Sequence, residues 1–130
     1  MKIKEQYESQ SSFFVFDKDL NYAKSLFGGK IMAEADCEAA KVARNIAFAC
    51  NADNAVTVNF NMEFIKPAET GDLININAKL HGYGNTSITV DIEVTKTNKM
   101  HLQPVLIGRG VATFVIMKNG YKHSHHLNML

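Results

Sequence analysis

The chain has 130 residues, of which 46% are hydrophobic, and its formal net charge is +1 at pH 7. This length and composition predict a single domain, residues 1–130, with one hydrophobic core. Charges of both signs are interspersed, which argues against a nucleic-acid partner, and no apolar run is long enough to cross a membrane. Residues 1–10 are polar and lack the apolar segment of a signal peptide, so we expect a cytoplasmic protein.

Hydrophobic periodicity predicts an α+β fold with one long helix and five strands. The order is strand, helix, then four strands joined by short connections, and it covers a core of about 12–117. The predicted elements are a strand at 12–16, a loop at 17–26, a helix at 28–49, and strands at 56–64, 73–80, 87–94 and 105–117. Gly108, Gly110 and Ala112 make one face of the last strand flat, which we expect to let the helix approach closely.

The predicted helix begins with the glycine pair Gly28 and Gly29. The first N–H groups of a helix have no partner within it and carry a partial positive charge. Glycine also lets a substrate oxygen come close to the backbone. A helix start of this kind, combined with a nearby acid, is a minimal arrangement for hydrolysing an activated carbonyl.

The acid is Asp36, which lies about 100° round the helix from an apolar stripe. That stripe consists of Ile31, Ala35, Ala39 (or Glu38), Val42, Ile46 and Ala49. The neighbours of Asp36 on its own row are small or apolar and include no lysine or arginine. A further arc is expected to face water: Glu34, Glu38, Lys41, Arg44 and Asn45. The pattern alone leaves two interpretations of Asp36 open, a surface acid at the edge of the stripe or a positioned catalytic acid.

Cysteine and histidine spacing indicates neither a zinc site nor a redox dithiol. Cys37 and Cys50 are expected to be buried free thiols. The residues after Met117 are expected to form a polar tail, 118–130, in which His123, His125 and His126 belong to a mobile segment rather than a metal site.

The segment around the predicted helix start reads Asn21-x5-Phe27-Gly28-Gly29-x-Ile31-Met32-x3-Asp36. It resembles the signature of the hot-dog-fold acyl-CoA thioesterases, which are bacterial acyl-CoA hydrolases related to the cytosolic acyl-CoA hydrolase. The resemblance covers about 13–117. Further along the chain it is supported by Phe64-x2-Pro67-x3-Gly71-Asp72 and by the turn that ends in Ser87. Two positions depart from the family pattern: Lys24 replaces a usual glycine, and Lys30 replaces a usual bulky apolar residue.

The resemblance implies a long central helix wrapped by a curved antiparallel sheet of about five strands. It implies hydrolysis of acyl-CoA to a free acid and coenzyme A without a cofactor, with Asp36 as general base or nucleophile. Asn21 would bind the thioester carbonyl or the attacking water, and the N–H groups of Gly28 and Gly29 would form the oxyanion hole. Thr57, Ser87 and Arg109 are predicted to bind substrate. Lys66, Lys96 and Lys99 are further candidates for the coenzyme A phosphates, although each is also consistent with an ordinary solvated charge.

Asp36 lies eight residues beyond Gly28, about 12 Å along a helix that rises about 1.5 Å per residue. One helix therefore cannot easily present both the acid and the oxyanion donors to one carbonyl. We expect a homodimer with shared sites, as the resemblance also implies, assembled further into a tetramer or hexamer. Two alternatives stay open: a non-catalytic acyl-CoA-binding sensor and a hot-dog acyl hydratase.

Overall fold

The computed structural model describes residues 7–125 of the chain. Within this range the named elements are one α-helix, a 3-10 turn at Asp17–Asp19, and six β-strands. The helix α1 spans Gly28–Ala49. The strands are β1 Glu8–Phe14, β2 Asn54–Phe64, β3 Leu73–Tyr83, β4 Ser87–Thr97, β5 Val105–Lys118 and β6 Tyr121–Lys122.

The strands form one antiparallel sheet in the order β1-β3-β4-β5-β2, with β6 paired to the end of β5. Helix α1 packs on one face of the sheet, and the core lies between them. In β3 and β4, buried aliphatic side chains alternate with more exposed, mostly polar ones, as expected for a sheet with one buried face. The predicted order of one strand, a long helix and four strands is confirmed, and a short further strand, β6, lies in the segment predicted to be a polar tail.

Helix α1 has the predicted bounds, and most of its predicted stripe is buried. Ala49 is exposed at the helix end, so its place in the stripe is wrong. Glu38 is only 1% exposed, which contradicts its assignment to the water-facing arc and agrees with the alternative that places it in the stripe. Glu38 is buried because the neighbouring edge strand supplies hydrogen bonds. The Ser9 hydroxyl donates to Glu38 Oε2, and Lys41 Nζ lies 2.9 Å from Glu38 Oε1.

Strand β1 begins at Glu8 and ends at Phe14, so the predicted bounds of 12–16 are wrong. The segment from Glu8 to Ser11 is polar and carries no hydrophobic signal of a strand. It is nevertheless paired with β3 from Glu8↔Lys79 to Phe14↔Leu73.

A β-bulge at Val58 breaks the single alternation that the sequence predicts for β2. Before the bulge, Thr57 pairs with Phe114, and after it Phe60 pairs with Ala112. Phe114 and Ala112 are both fully buried beneath the helix. Since paired residues share a face of the sheet, Thr57 and Phe60 both lie on the helix side, whereas Val56 lies on the opposite side.

The two glycines of the flat strip lie close to the neighbouring strand β2, and helix α1 also packs against β5. A Cβ atom on Gly110 would lie 2.5 Å from the backbone oxygen of Asn61. One on Gly108 would lie 3.3 Å from the backbone oxygen of Glu63. These glycines allow close approach within the sheet.

The chain after Met117 is held against the domain as far as the structure describes it. The His123 N–H donates to the Ile116 oxygen at 2.8 Å, and His125, 2% exposed, lies with Nε2 3.0 Å from the Ser87 oxygen. The prediction of a mobile tail is therefore wrong for these residues, and His126 lies outside the described range.

Both cysteines are free, as predicted, but Cys37 is exposed and Cys50 is only partly buried. Burial raises the pKa of the Cys50 thiol. Within residues 7–125, no helix is both long and apolar enough to span a membrane.

Candidate functional site

Helix α1 opens without a side-chain cap. Phe27 occupies the N-cap position and its side chain offers no hydrogen bond. Its carbonyl oxygen accepts from the N–H groups of Lys30 and Ile31, at 3.0 and 3.4 Å. The N–H groups of Gly28 and Gly29 have no hydrogen-bond partner in the described part of the chain. They are therefore available to an anion at the positive end of the helix dipole.

Both glycines lie against aromatic rings. A Cβ on Gly28 would lie 3.3 Å from the Phe64 ring, and a Cβ on Gly29 would lie 2.6 Å from the Phe27 ring. Larger residues would therefore displace an aromatic ring beside the helix start.

Asn21 is oriented by the tight loop that precedes the helix. Its side-chain oxygen accepts hydrogen bonds from the backbone N–H groups of Ala23 and Ser25, at 2.9 and 3.1 Å. Two N–H donors identify that atom as oxygen, so the amide nitrogen occupies the other position. This nitrogen donates to none of the residues in the described range, which makes it a second available donor.

Asn21 and Gly28 line the same cavity, of about 370 Å³. Apolar residues form most of its wall. The lining residues are Asn21, Ser25, Leu26, Gly28, Ile31, Phe64, Ile65, Lys66, Pro67 and Ala68. Gly29 is not among them. Two hydrogen-bond donors beside an apolar wall are suited to holding the carbonyl of an acyl compound.

Asp36 is half-buried on the β2 side of α1. The Thr57 hydroxyl donates to Asp36 Oδ1 at 3.2 Å. Within residues 7–125, the second carboxylate oxygen of Asp36 has no hydrogen-bond partner. Thr57 therefore fixes one oxygen and leaves the other available for a proton or a carbonyl carbon.

The structure does not bring Asp36 and Thr57 to the cavity that Asn21 and Gly28 line. Gly28 and Asp36 lie on the same helix, about 12 Å apart along its axis. One chain thus carries two separate half-sites: Asn21 with Gly28, and Asp36 with Thr57.

Ser87 and Arg109 lie away from both half-sites. The Ser87 hydroxyl accepts from the Gly84 N–H at 3.1 Å and so closes the β3–β4 turn. Arg109 pairs with Glu63 in the sheet register, on the face opposite the helix, and its Nε lies 3.1 Å from Glu63 Oε2. Their proposed contact with substrate stays a prediction.

Sequence reasoning did not single out Phe64 as a site residue. Its ring packs against Gly28 and lines the cavity. The sequence signal for it was the Phe64-x2-Pro67 segment, whose last residue lines the cavity as well.

Asp72, in the same segment, is a buried structural acid. It accepts hydrogen bonds from the Glu69 N–H at 2.8 Å and from Asn98 Nδ2 at 2.7 Å. Lys96 Nζ lies 3.8 Å away.

The two departures from the family pattern have different consequences. Lys24 adopts φ +66°, the left-handed conformation that glycine adopts without strain. Lys30 forms an ion pair with Glu34 at 3.2 Å and lies 5.2 Å from the centre of the Phe13 ring.

The chain is similar to known proteins in both sequence and fold. A family model described as the thioesterase superfamily matches residues 23–102. An uncharacterized acyl-CoA thioester hydrolase of Buchnera aphidicola subsp. Baizongia pistaciae is 40% identical over 77 residues, which are 58% of this chain and 54% of that protein. The chain spans about half the length of the curated relatives it matches.

Two solved structures are similar over most of the chain. An acyl-CoA hydrolase from Staphylococcus aureus, solved in complex with butyryl coenzyme A, coenzyme A and coenzyme A disulfide, superposes with a TM-score of 0.84 and 25% identity. The match covers 93% of this chain and 73% of that one. A hexameric thioesterase from Yersinia pestis superposes with a TM-score of 0.77 and 29% identity, over 88% of this chain and 91% of that one. The predicted hot-dog fold is confirmed, and the chain belongs to the thioesterase superfamily.

Proposed function

We propose that this protein is an acyl-CoA thioesterase that hydrolyses an acyl-CoA to a carboxylic acid and coenzyme A. The observation that carries the proposal is the presence of two complementary half-sites, each built around a residue of helix α1. One holds available N–H donors beside an apolar cavity, and the other holds a carboxylate oriented by a hydroxyl. The similarity to hydrolases and thioesterases that act on or bind coenzyme A compounds supports this chemistry.

The active site is shared between two subunits of a homodimer. The Asn21 amide and the N–H groups of Gly28 and Gly29 of one subunit bind the thioester carbonyl. Asp36 of the partner subunit, held by its Thr57, approaches the same carbonyl. This arrangement removes the distance of about 12 Å that separates the two half-sites within one chain.

In the general-base route, Asp36 removes a proton from water as the water oxygen attacks the carbonyl carbon. The negative charge that develops on the carbonyl oxygen is stabilised by the helix-end N–H groups, each typically worth about 3–4 kcal/mol. The carbon–sulfur bond then breaks and the departing sulfur takes up the proton. In the nucleophilic route, Asp36 attacks the carbon directly, coenzyme A leaves, and water hydrolyses the resulting anhydride.

The dimer would form along the free edge of β2 and the adjoining face of α1. This region carries exposed apolar side chains, among them Val58 at 57%, Phe64 at 49% and Met32 at 38% exposure. Apolar surface of this kind is typical of an interface between subunits. The Yersinia pestis neighbour is described as hexameric, and further assembly of dimers is proposed here on that similarity.

The test is thiol release from a series of acyl-CoAs by the wild type and by the Asp36→Ala and Glu34→Ala variants. We expect the Asp36 change to abolish turnover and the Glu34 change to leave it near the wild-type rate. Binding of acyl-CoA without any cleavage by the wild type would contradict the enzyme and support the sensor alternative.

Shared sites are tested by mixing subunits that carry Asp36→Ala with subunits that carry Asn21→Ala. Each variant alone should be inactive, but a mixed dimer keeps one intact site. Random mixing of equal amounts should restore about a quarter of wild-type activity. No recovery in a demonstrated mixed dimer would show that each site is built from one chain.

A further inference from the structure

Four cationic side chains are candidates for contacting the phosphate groups of coenzyme A, and they differ in their position and in their existing partners. Lys96 is engaged within the fold, with Nζ 2.8 Å from the Pro67 oxygen. Arg109 is paired with Glu63 on the opposite face of the sheet. Lys99 does not line the cavity. The remaining candidate is Lys66.

Lys66 lines the cavity together with Asn21 and Gly28. Its side chain is exposed and forms no ion pair with any residue in the described range. Its backbone is anchored, because the N–H groups of Ile65 and Lys66 both donate to the Ile107 oxygen, at 2.8 and 3.2 Å. An anchored backbone with an unpaired charge at its tip is suited to an external anion.

The electrostatic surroundings of Lys66 also favour an anion. The described residues that line the cavity include no aspartate or glutamate. The positive end of the α1 dipole opens beside the same space. An anion beside Lys66 therefore lies near two sources of positive charge, and no carboxylate among the lining residues competes for them.

We propose that Lys66 binds the phosphate groups of coenzyme A and so selects phosphorylated thioesters over thioesters of the bare pantetheine arm. This inference rests on the proposed function, since it takes the substrate carbonyl to lie at Asn21 and Gly28. Lys66 acts on substrate binding and takes no part in bond breaking.

The experiment compares wild type, Lys66→Gln and Lys79→Gln. Lys79 is an exposed lysine on the opposite face of the sheet, paired with Asp91 in the register of β3 and β4. Calorimetry measures the Kd for free coenzyme A and for pantetheine, and kinetics measure KM and kcat for acyl-CoA and the matching acyl-pantetheine.

We expect Lys66→Gln to raise the Kd for coenzyme A and the KM for acyl-CoA by about tenfold, as for loss of a charge-assisted hydrogen bond. Its kcat, and its constants for the pantetheine compounds, should match the wild type, as should every constant of Lys79→Gln. Raising the salt concentration should weaken coenzyme A binding less in Lys66→Gln than in the wild type.

Equal losses on phosphorylated and unphosphorylated compounds, or no loss on either, would overturn the role of Lys66. A wild type that binds coenzyme A but cleaves no thioester would contradict the proposed function, and the binding comparison would still decide the role of Lys66. A wild type with no affinity for coenzyme A would overturn both.

Discussion

The Thr57 hydroxyl lies 3.2 Å from Oδ1 of Asp36, and this hydrogen bond joins β2 to the middle of α1. It exists because the bulge at Val58 places Thr57 on the helix side of the sheet. A hydroxyl that donates to one carboxylate oxygen limits rotation of the acid and leaves the other oxygen for chemistry. Thr57 thereby becomes a positioning residue for Asp36 in the proposed mechanism.

Replacing Thr57 by valine keeps the shape of the side chain and removes the donor. We expect kcat/KM for acyl-CoA to fall about tenfold, because a hydrogen bond to a charged group is worth about 1.5 kcal/mol or more. Steady-state kinetics measure this effect, and Thr57→Ser, which keeps the hydroxyl, should retain most of the activity. Wild-type kinetics in the valine variant would show that Asp36 needs no such support.

The proposed dimer places its twofold axis near Met32. If Gly28 of one subunit faces Asp36 of the other across antiparallel helices, the axis passes midway between these two positions. Met32 is at that midpoint and its side chain is exposed.

In a background without Cys37 and Cys50, Met32→Cys should therefore form an intersubunit disulfide under mild oxidation. Phe48→Cys, at the far end of the same helix, should not. Non-reducing electrophoresis distinguishes them, and crosslinking through position 48 alone would contradict this arrangement of helices.

Glu38 should make folding stability depend on acid pH. Burial alone raises the pKa of Glu38, but hydrogen bonds from Ser11, Ser9 and Lys41 together outweigh it, so the pKa lies below the usual 4.5. Ionised Glu38 therefore adds stability that is fully present above the unfolded-state pKa. This contribution is lost as the pH falls through the folded-state pKa.

Urea unfolding of Glu38→Gln tests this dependence. At pH 7 we expect the free energy of unfolding to fall by about 1–3 kcal/mol, and the difference from wild type should shrink at pH values below about 4. Glu34→Gln, which removes only a partly exposed i,i+4 ion pair with Lys30, should change stability much less. A difference that stays constant between pH 7 and pH 3 would mean that the ionised form of Glu38 is not specifically stabilised.

Lys24 should be replaceable by glycine with a gain in stability. Its φ of +66° places a side-chain-bearing residue in the left-handed region, which costs about 1 kcal/mol relative to glycine. Thermal unfolding should show a higher Tm for Lys24→Gly. Lys24→Ala removes the same charge but keeps the Cβ atom, so it should give no such gain. Equal effects of both substitutions would attribute the change to the charge rather than to the backbone.

The helix and its start are determined by the sequence alone, because they depend on neighbours close along the chain. Apolar residues at every third or fourth position predict α1 from Gly28 to Ala49, and the structure confirms these bounds. The spacing of Asn21, Gly28 and Asp36 likewise indicates the family and the candidate site. The distance along one helix is sufficient to predict that Asp36 and Gly28 do not meet within a chain.

Only the tertiary structure decides which side chains from distant parts of the chain contact the residues of the helix and its start. Thr57 reaches Asp36 through a bulge that strand alternation does not reveal. Glu38 is buried because serines of β1, a strand with little hydrophobic signal at its start, provide its hydrogen bonds. Lys66 comes to lie beside Asn21 because the chain after β2 passes the helix start. Periodicity reports which face of an element is buried, whereas the partner of each side chain depends on pairings between distant segments.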